Sequence, residues 1–158
     1  MLAKKRVLNS RKQSPPARQI DLVVVEKAKR KLFLLSEGNI IRTYQVALGP
    51  YPEGHKLQKD DGKTPEGLYV IDGRNYQSCY HRSLHISYPS QADIQRANQA
   101  GVNPGGDIML HGIRNGLGFL GFFYRKMNWT QGCIAVTNRE IEEIWSLVND
   151  GIPIEIKP

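Results

Sequence analysis

Two residues have side chains suited to nucleophilic chemistry and stand where apolar segments begin or end. Cys133 follows the turn-like segment 130–132 and starts an apolar run, and His111 ends the short segment 107–110. A cysteine becomes a nucleophile when a nearby base takes its proton and hydrogen-bond donors stabilise the oxyanion that forms. If the two segments are neighbouring strands of one sheet, the imidazole and the thiol can meet.

Glycines stand beside both residues and favour this arrangement. Gly132 allows a tight turn in which its own N–H and that of Cys133 point at one spot. Gly112 permits the chain to leave the strand abruptly after His111. A free cysteine beside a glycine is more often a buried small apolar residue, so the spacing alone leaves both interpretations open.

A metal site is the other chemistry that the residue types suggest, at Cys79, His81 and His85. In a strand, residues four apart lie about 13 Å from each other, too far to share one ion with ligands at about 2.1 Å. The sequence therefore predicts no metal site. The two cysteines also form no C-x-x-C pair and no disulfide framework, so Cys79 is interpreted as a bystander thiol.

The elements that must position these residues are mostly strands. Alternating or apolar segments predict strands at 20–26, 31–36, 40–48, 68–72, 83–88, 107–110, 133–136 and 152–156. In the third of these, the even-numbered apolar residues are expected to face inward, namely Ile40, Tyr44, Val46 and Leu48.

Two segments carry helix signals. Ser90 caps a predicted helix over 91–100, which Gly101 ends. Thr137 and Glu140 form a capping box for a second helix, whose apolar face consists of Ile141, Ile144, Trp145 and Val148.

Length and charge indicate one globular domain with a basic leader. The chain has 158 residues and a net charge of +7, but residues 1–19 hold six bases and no acid, leaving 16 bases against 15 acids in 20–158. We expect 1–19 to be a disordered tail and 20–158 to be the domain, with no nucleic-acid groove built into the fold. No apolar stretch is long enough for a transmembrane helix or a signal peptide.

At this point the motifs resemble a known family, the YkuD-type L,D-transpeptidase catalytic domain. The resemblance rests on H-G at 111–112 followed by T-Q-G-C-I-A-V-T-N at 130–138. The segment T-P-E-G-L-Y at 64–69 also matches. Two further segments, S-L-H-I-S-Y-P at 83–89 and N-W-T at 128–130, resemble the YafK-like branch. The resemblance covers roughly residues 20–158.

This resemblance implies a mainly β fold, a sandwich of mixed sheets with one or two short helices, and no metal or organic cofactor. It implies that Cys133 is the nucleophile, that His111 is the base, and that the Gly112 carbonyl orients the imidazole. The N–H groups of Gly132 and Cys133 would bind the oxyanion. The implied substrates are peptidoglycan stem peptides as donor and acceptor, with a thioester intermediate and release of D-Ala, in cell-wall biogenesis and cell shape.

The chain departs from the common family motif at two positions. Gln131 replaces a histidine and Ala135 replaces an arginine, so transfer to an amine and hydrolysis by water both stay open. An L,D-carboxypeptidase or amidase is therefore the alternative enzyme. A non-catalytic module that binds cell wall or polyanions through the basic tail is the alternative from another class.

Four further residues are candidates for substrate binding: Thr130, Trp129, Arg114 and His85. Arg114 suits a substrate carboxylate, because guanidinium binds such groups bidentately. The Gly- and Phe-rich segment after Gly112 is predicted either to cover the site as a hinged lid or to pack on the core. Because the implied substrate is peptidoglycan, we expect the protein in the cell envelope, either periplasmic or secreted. Residues 1–19 do not have the pattern of a signal peptide.

Overall fold

Residues 18–158, which the computed structural model describes, form eight strands and three α-helices. The strands are β1 (Leu22–Glu26), β2 (Lys31–Ser36), β3 (Asn39–Gln45), β4 (Gly67–Asn75), β5 (Ser83–Ile86), β6 (Met109–His111), β7 (Ile134–Ala135) and β8 (Pro153–Lys157). The helices are α1 (Gln91–Ala100), α2 (Gly121–Tyr124), preceded by a 3₁₀ turn at Gly118–Leu120, and α3 (Asn138–Leu147). The predicted basic tail lies almost entirely outside the described residues.

The strands form one mixed sheet in the order β3-β2-β1-β8-β4-β5-β6-β7. The β1–β8 and β6–β7 pairs are parallel, and the other neighbours are antiparallel. Beyond β3, Ala47 exchanges two backbone hydrogen bonds with Ala135 in β7, at 2.8 and 3.0 Å. The two edges of the sheet therefore meet, and the sheet curls around the core. The prediction of a mainly β fold with mixed strands is confirmed.

Alternate residues of the strands point into one apolar core, which α3 also joins. Fully buried side chains include Val23 and Val25 of β1, Leu110 of β6 and Ile141 and Ile144 of α3. Burying each such side chain contributes about 1.5–3 kcal/mol relative to exposure. The strand ends that carry His111 and Cys133 are thus anchored by buried neighbours.

The prediction that Ile40 faces inward from β3 is wrong. Tyr44, Val46 and Leu48 are buried as expected, but Ile40 is 59% exposed. The pairing shifts from Leu34–Arg42 to Leu35–Ile40, which makes Ile41 the extra residue of a β-bulge. Ile41 packs against the core instead, because the bulge reverses which side chains face inward.

The two helices predicted from capping signals have the expected starts. Ser90 and Asp93 form a capping box at α1, and Gly101 ends that helix in the left-handed conformation. Thr137 and Glu140 form the capping box of α3. The sequence does not predict the short α2, because no side chain caps it and its four residues offer no periodicity. No helix within residues 18–158 has the length and apolarity needed to cross a bilayer.

Candidate active site

The two candidate chemical residues lie at the ends of adjacent strands. β6 and β7 pair in parallel, with His111 opposite Ala135. Cys133 immediately precedes β7, and its Sγ lies 3.4 Å from the Met109 N–H nitrogen of β6. Because side chains alternate along a strand, Cys133, two residues before Ala135, faces the same side as His111. The condition under which the imidazole and the thiol can meet, that the two segments are neighbours in one sheet, is thus met.

Both side chains line one cavity of about 800 Å³. Its other walls come from the chain before β5, from the segment before β6 and from the turn before β7. Cys79 and Tyr80 line it from before β5, Asp107 and Met109 from the start of β6, and Trp129 and Thr130 from the turn before β7.

The His111 ring is buried and held in one orientation. Its Nδ1 lies 2.7 Å from the Gly112 carbonyl oxygen. A carbonyl can only accept, so Nδ1 carries the proton and the Nε2 lone pair of the neutral ring is left to accept one. The Tyr80 ring stacks on the imidazole with centroids 4.4 Å apart, and the Trp129 ring meets it edge-on at 5.6 Å.

The position after His111 requires glycine, because other groups occupy the space of a side chain. A Cβ on Gly112 would lie 2.7 Å from Asn138 Oδ1 and 3.0 Å from the Tyr80 carbonyl oxygen. Asn138 Oδ1 accepts the Ile113 N–H at 2.8 Å. The first residue of α3 thus fixes the direction in which the chain leaves β6.

The Cys133 thiol is half-buried and hydrogen-bonded to the β6 segment. It accepts the Met109 N–H and donates to the Asp107 carbonyl at 3.5 Å. Burial raises the pKa of Cys133, and the Met109 bond opposes that effect. Burial lowers the pKa of His111 to about 4, against the Gly112 bond. At neutral pH the resting pair is therefore neutral thiol and neutral imidazole.

The turn before β7 is held by the Thr130 hydroxyl. This hydroxyl donates to the Cys133 carbonyl at 2.7 Å and accepts the Gly132 N–H at 3.3 Å. The Thr130 N–H donates to the Leu48 carbonyl at 3.2 Å. Within residues 18–158, no hydrogen bond uses the Cys133 N–H. This N–H is the donor that the turn leaves available for a substrate oxygen.

The structure separates the four residues predicted to bind substrate. Thr130 and Trp129 line the cavity, and the buried Trp129 Nε1 has no hydrogen-bond partner among residues 18–158. Arg114 is exposed and makes no ion pair in the described part of the chain, and it does not line the cavity. His85 also lies outside the lining, with its Nδ1 2.5 Å from Asp72 Oδ1.

Tyr80 and Asp107 are site residues that sequence reasoning missed. Tyr80 lies in an irregular segment, so no periodicity marks the ring that stacks on His111. Asp107 contributes its backbone carbonyl to the thiol, and its positive φ of 53° directs that carbonyl. A contact made by backbone atoms leaves no side-chain pattern in the sequence.

The Phe-rich segment 113–129 neither covers the cavity nor packs its aromatic rings on the core. Phe119, Phe122 and Phe123 are 80%, 63% and 67% exposed and do not line the cavity. Of the aromatic residues in this segment, only Trp129 reaches the cavity wall. The Phe rings therefore do not form the predicted lid, but the segment packs on the domain in part, since Gly121 is buried against Thr137 and Ile113.

The residues weighed as metal ligands have other partners. His81 Nε2 lies 2.8 Å from Glu142 Oε1, and His85 contacts Asp72. In the described part of the chain, no three His, Cys, Asp or Glu side chains are grouped so that they could hold an ion.

Comparison with known proteins agrees with the geometry. The sequence model of the YkuD family, the L,D-transpeptidase catalytic domain, matches residues 20–156. The Escherichia coli (strain K12) protein YafK, whose name assigns it provisionally to the L,D-transpeptidases, is 27% identical over 137 residues, covering 85% of this chain and 45% of that protein. The chain thus spans about half the length of this curated relative.

Solved structures share the fold. Bd1075 of Bdellovibrio bacteriovorus has a TM-score of 0.62 and 25% identity, covering 87% of this chain and 48% of its own. The helical cell shape determining protein Pgp2 of Campylobacter jejuni has a TM-score of 0.63 and 22% identity, covering 88% and 48%. An L,D-transpeptidase of Xylanimonas cellulosilytica has a TM-score of 0.57 and 14% identity, covering 90% and 62%.

Proposed function

Because this chain belongs to the L,D-transpeptidase catalytic domain family, we propose that it is a cysteine-dependent acyltransferase acting on peptidoglycan stem peptides. The observation that carries the proposal is the placement of Cys133 and His111 on one face of adjacent strands, in one cavity. The fixed tautomer of His111 supports it, since Nε2 is left to accept a proton.

In the first step, His111 Nε2 takes the thiol proton as Cys133 Sγ attacks a peptide carbonyl. The carbonyl belongs to the bond between the third stem residue and D-Ala. Because the resting pair is neutral, proton transfer accompanies the attack and is not complete beforehand. The Cys133 N–H donates to the oxyanion, and the Gly132 N–H joins it by leaving its 3.3 Å bond to Thr130.

In the second step, the C–N bond breaks and D-Ala leaves with the proton held on His111. A thioester between Cys133 and the shortened stem remains. An amine of a second stem then attacks the thioester, His111 accepts the amine proton, and the free thiol and a cross-link result.

Hydrolysis is the second candidate function, which Gln131 leaves open beside transfer. The common family motif has a second histidine there, whereas this chain leaves His111 as the only motif histidine of the site. With water as the attacking group, the same thioester gives a trimmed stem and no cross-link. The enzyme is then an L,D-carboxypeptidase.

The proposed partners are donor and acceptor stems of peptidoglycan in the cell envelope, in the periplasm or outside the cell. Trp129 is proposed to contact the stem through the face of its ring that lines the cavity. Arg114 and His85 can reach substrate only beyond the cavity rim, since neither lines the cavity. By analogy with Pgp2, a helical cell shape determining protein, we propose a role in cell shape.

The test is incubation with a defined tetrapeptide muropeptide, followed by mass spectrometry of the products. Dimers that lack one D-Ala, formed by the wild type and absent with Cys133→Ala, support transpeptidation. Loss of D-Ala without dimers supports the carboxypeptidase. If neither product forms with folded wild type, the proposed function is wrong. Cross-linked or protein-linked wall, the substrate of the alternative amidase, is then tested next. The non-catalytic binding module comes after it, tested by salt-dependent wall binding that survives Cys133→Ala.

A further inference from the structure

A buried hydrogen bond connects the T-P-E-G motif to the turn that carries Cys133. Thr64 is fully buried, and its hydroxyl donates to the Gly132 carbonyl oxygen at 2.8 Å. That carbonyl belongs to the same peptide group as the Cys133 N–H. The peptide is trans, so its C=O and N–H point in opposite directions. Fixing the carbonyl therefore fixes the direction of the N–H.

The backbone around this peptide leaves it little freedom. Gly132 has a φ of +118°, and a Cβ there would lie 2.6 Å from the Lys63 carbonyl oxygen. A Cβ on Gly49 would lie 3.1 Å from the Gly132 nitrogen. The segment containing Gly49 and Thr64 thus presses directly against the turn. Thr64 does not line the cavity, whereas Cys133 does. The Cys133 N–H, on the opposite side of the peptide from Thr64, therefore points away from Thr64.

Thr64 is itself held by a buried lysine. The Lys27 side chain is 2% exposed, and its Nζ donates to the Thr64 carbonyl at 2.9 Å and to the Gly54 carbonyl at 2.7 Å. Its third partner is the Glu66 carboxylate at 3.0 Å. The two carbonyls accept hydrogen bonds from the ammonium group, and the carboxylate pairs with its charge. A buried charge with three partners in one loop fixes that loop against the sheet.

We propose that Thr64 is a positioning residue for acyl transfer, holding the Gly132–Cys133 peptide so that the Cys133 N–H points at the oxyanion, and that Lys27 holds Thr64 in place. The inference rests on the proposed function for its biological substrate, but its geometry concerns any acylation of Cys133. Thr64 touches no substrate and transfers no proton.

Two reagents separate this role from a merely structural one. With p-nitrophenyl acetate, Cys133 Sγ attacks the ester carbonyl, an oxyanion forms, p-nitrophenolate leaves and an acetyl thioester remains. With iodoacetamide, the S–C bond forms as iodide leaves, and no oxyanion forms. In both reactions the thiol proton passes to His111. The rate of each reaction is measured at residue 133 by peptide mass mapping, which excludes label on Cys79. The ratio of the two rates reports oxyanion stabilisation.

Thr64→Val keeps the shape of the side chain and removes the hydroxyl, whereas Thr64→Ser keeps the hydroxyl. We expect Thr64→Val to slow acetylation about 10- to 100-fold, with alkylation unchanged, since a misdirected oxyanion donor raises only the barrier that contains an oxyanion. Thr64→Ser should retain both rates within about threefold. Lys27→Met should lower the same ratio by a smaller factor.

The inference is overturned if Thr64→Val leaves acetylation unchanged, if both rates fall equally, or if Thr64→Ser fails to restore acetylation. Where Thr64→Val does not fold by circular dichroism, Thr64→Ala and then Lys27→Met are measured in the same pair of reactions. A wild type that is acetylated at Cys133 but does not process muropeptides refutes the proposed function and still tests this inference.

Discussion

The strand ends of β6 and β7 and the segment 113–129 that joins them differ in how their side chains are held. His111 is 3% exposed and fixed by a hydrogen bond and two aromatic contacts, whereas Phe119 is 80% exposed. The connection nevertheless contributes Trp129 to the cavity. The difference shows that the strand ends hold the thiol and the imidazole, and that the exposed Phe rings of the connection take no part in holding them.

Loss of the thiol is the largest effect that this comparison predicts. Cys133→Ala should lower product formation by at least about 10³-fold, because no thioester can form. Cys79 lines the same cavity but lies in an irregular segment, so Cys79→Ala should change the rate by less than about tenfold. Product formation on a tetrapeptide muropeptide is the measurement. Equal losses of product formation in both variants would mean that the thiol before β7 has no role that the Cys79 thiol lacks.

Loss of the imidazole comes next. His111→Gln keeps a polar side chain but removes the base, so kcat should fall about 10²- to 10⁴-fold. The KM should change little, since the base acts on the thiol proton and not on substrate binding. Steady-state kinetics on the same muropeptide give both values. A fall confined to KM would contradict the role of His111 as the base.

The burial of His111 also predicts how stability depends on pH. Its pKa is about 4 in the folded protein against an ordinary value of 6.5, so the unfolded state takes up the proton first as pH falls. The contribution of neutral His111 to the free energy of unfolding is complete above about pH 6.5. About 3 kcal/mol of this contribution is lost as the pH falls to about 4. Urea unfolding of wild type and His111→Gln measures it. If the free energies of unfolding of the two proteins differ by the same amount at every pH from 7 to 4, the burial of His111 has no such effect and the prediction is contradicted.

The smallest effect is expected in the connecting segment. Phe122→Ser with Phe123→Ser should change the free energy of unfolding by less than about 0.5 kcal/mol for each residue, because both rings are exposed. The matched buried change, Ile134→Ala in β7, should cost about 2–5 kcal/mol. Urea unfolding compares them. A large loss in the double variant would show that this segment packs in solution.

Much of this fold was predictable from local signals. The capping residues Ser90 and Thr137 predict the helix starts correctly, whereas the sequence leaves the pairing of the segments that carry His111 and Cys133 as a condition, which the structure meets. The bulge at Ile41 was not predictable, because a one-residue shift depends on pairing with a partner strand. Sequence motifs also could not show that Arg114 and His85 lie outside the cavity lining, since that depends on how the loops fold in space.

The central claim is that Cys133 forms the thioester, and the intact mass of the protein during turnover tests it most directly. After rapid acid quenching with a tetrapeptide muropeptide, the account predicts an adduct equal in mass to the donor minus D-Ala. Peptide mapping should locate it at residue 133, and hydroxylamine should remove it. An adduct on Cys79, or one that persists in Cys133→Ala, would contradict the account, as would product formation with no adduct at any quenching time.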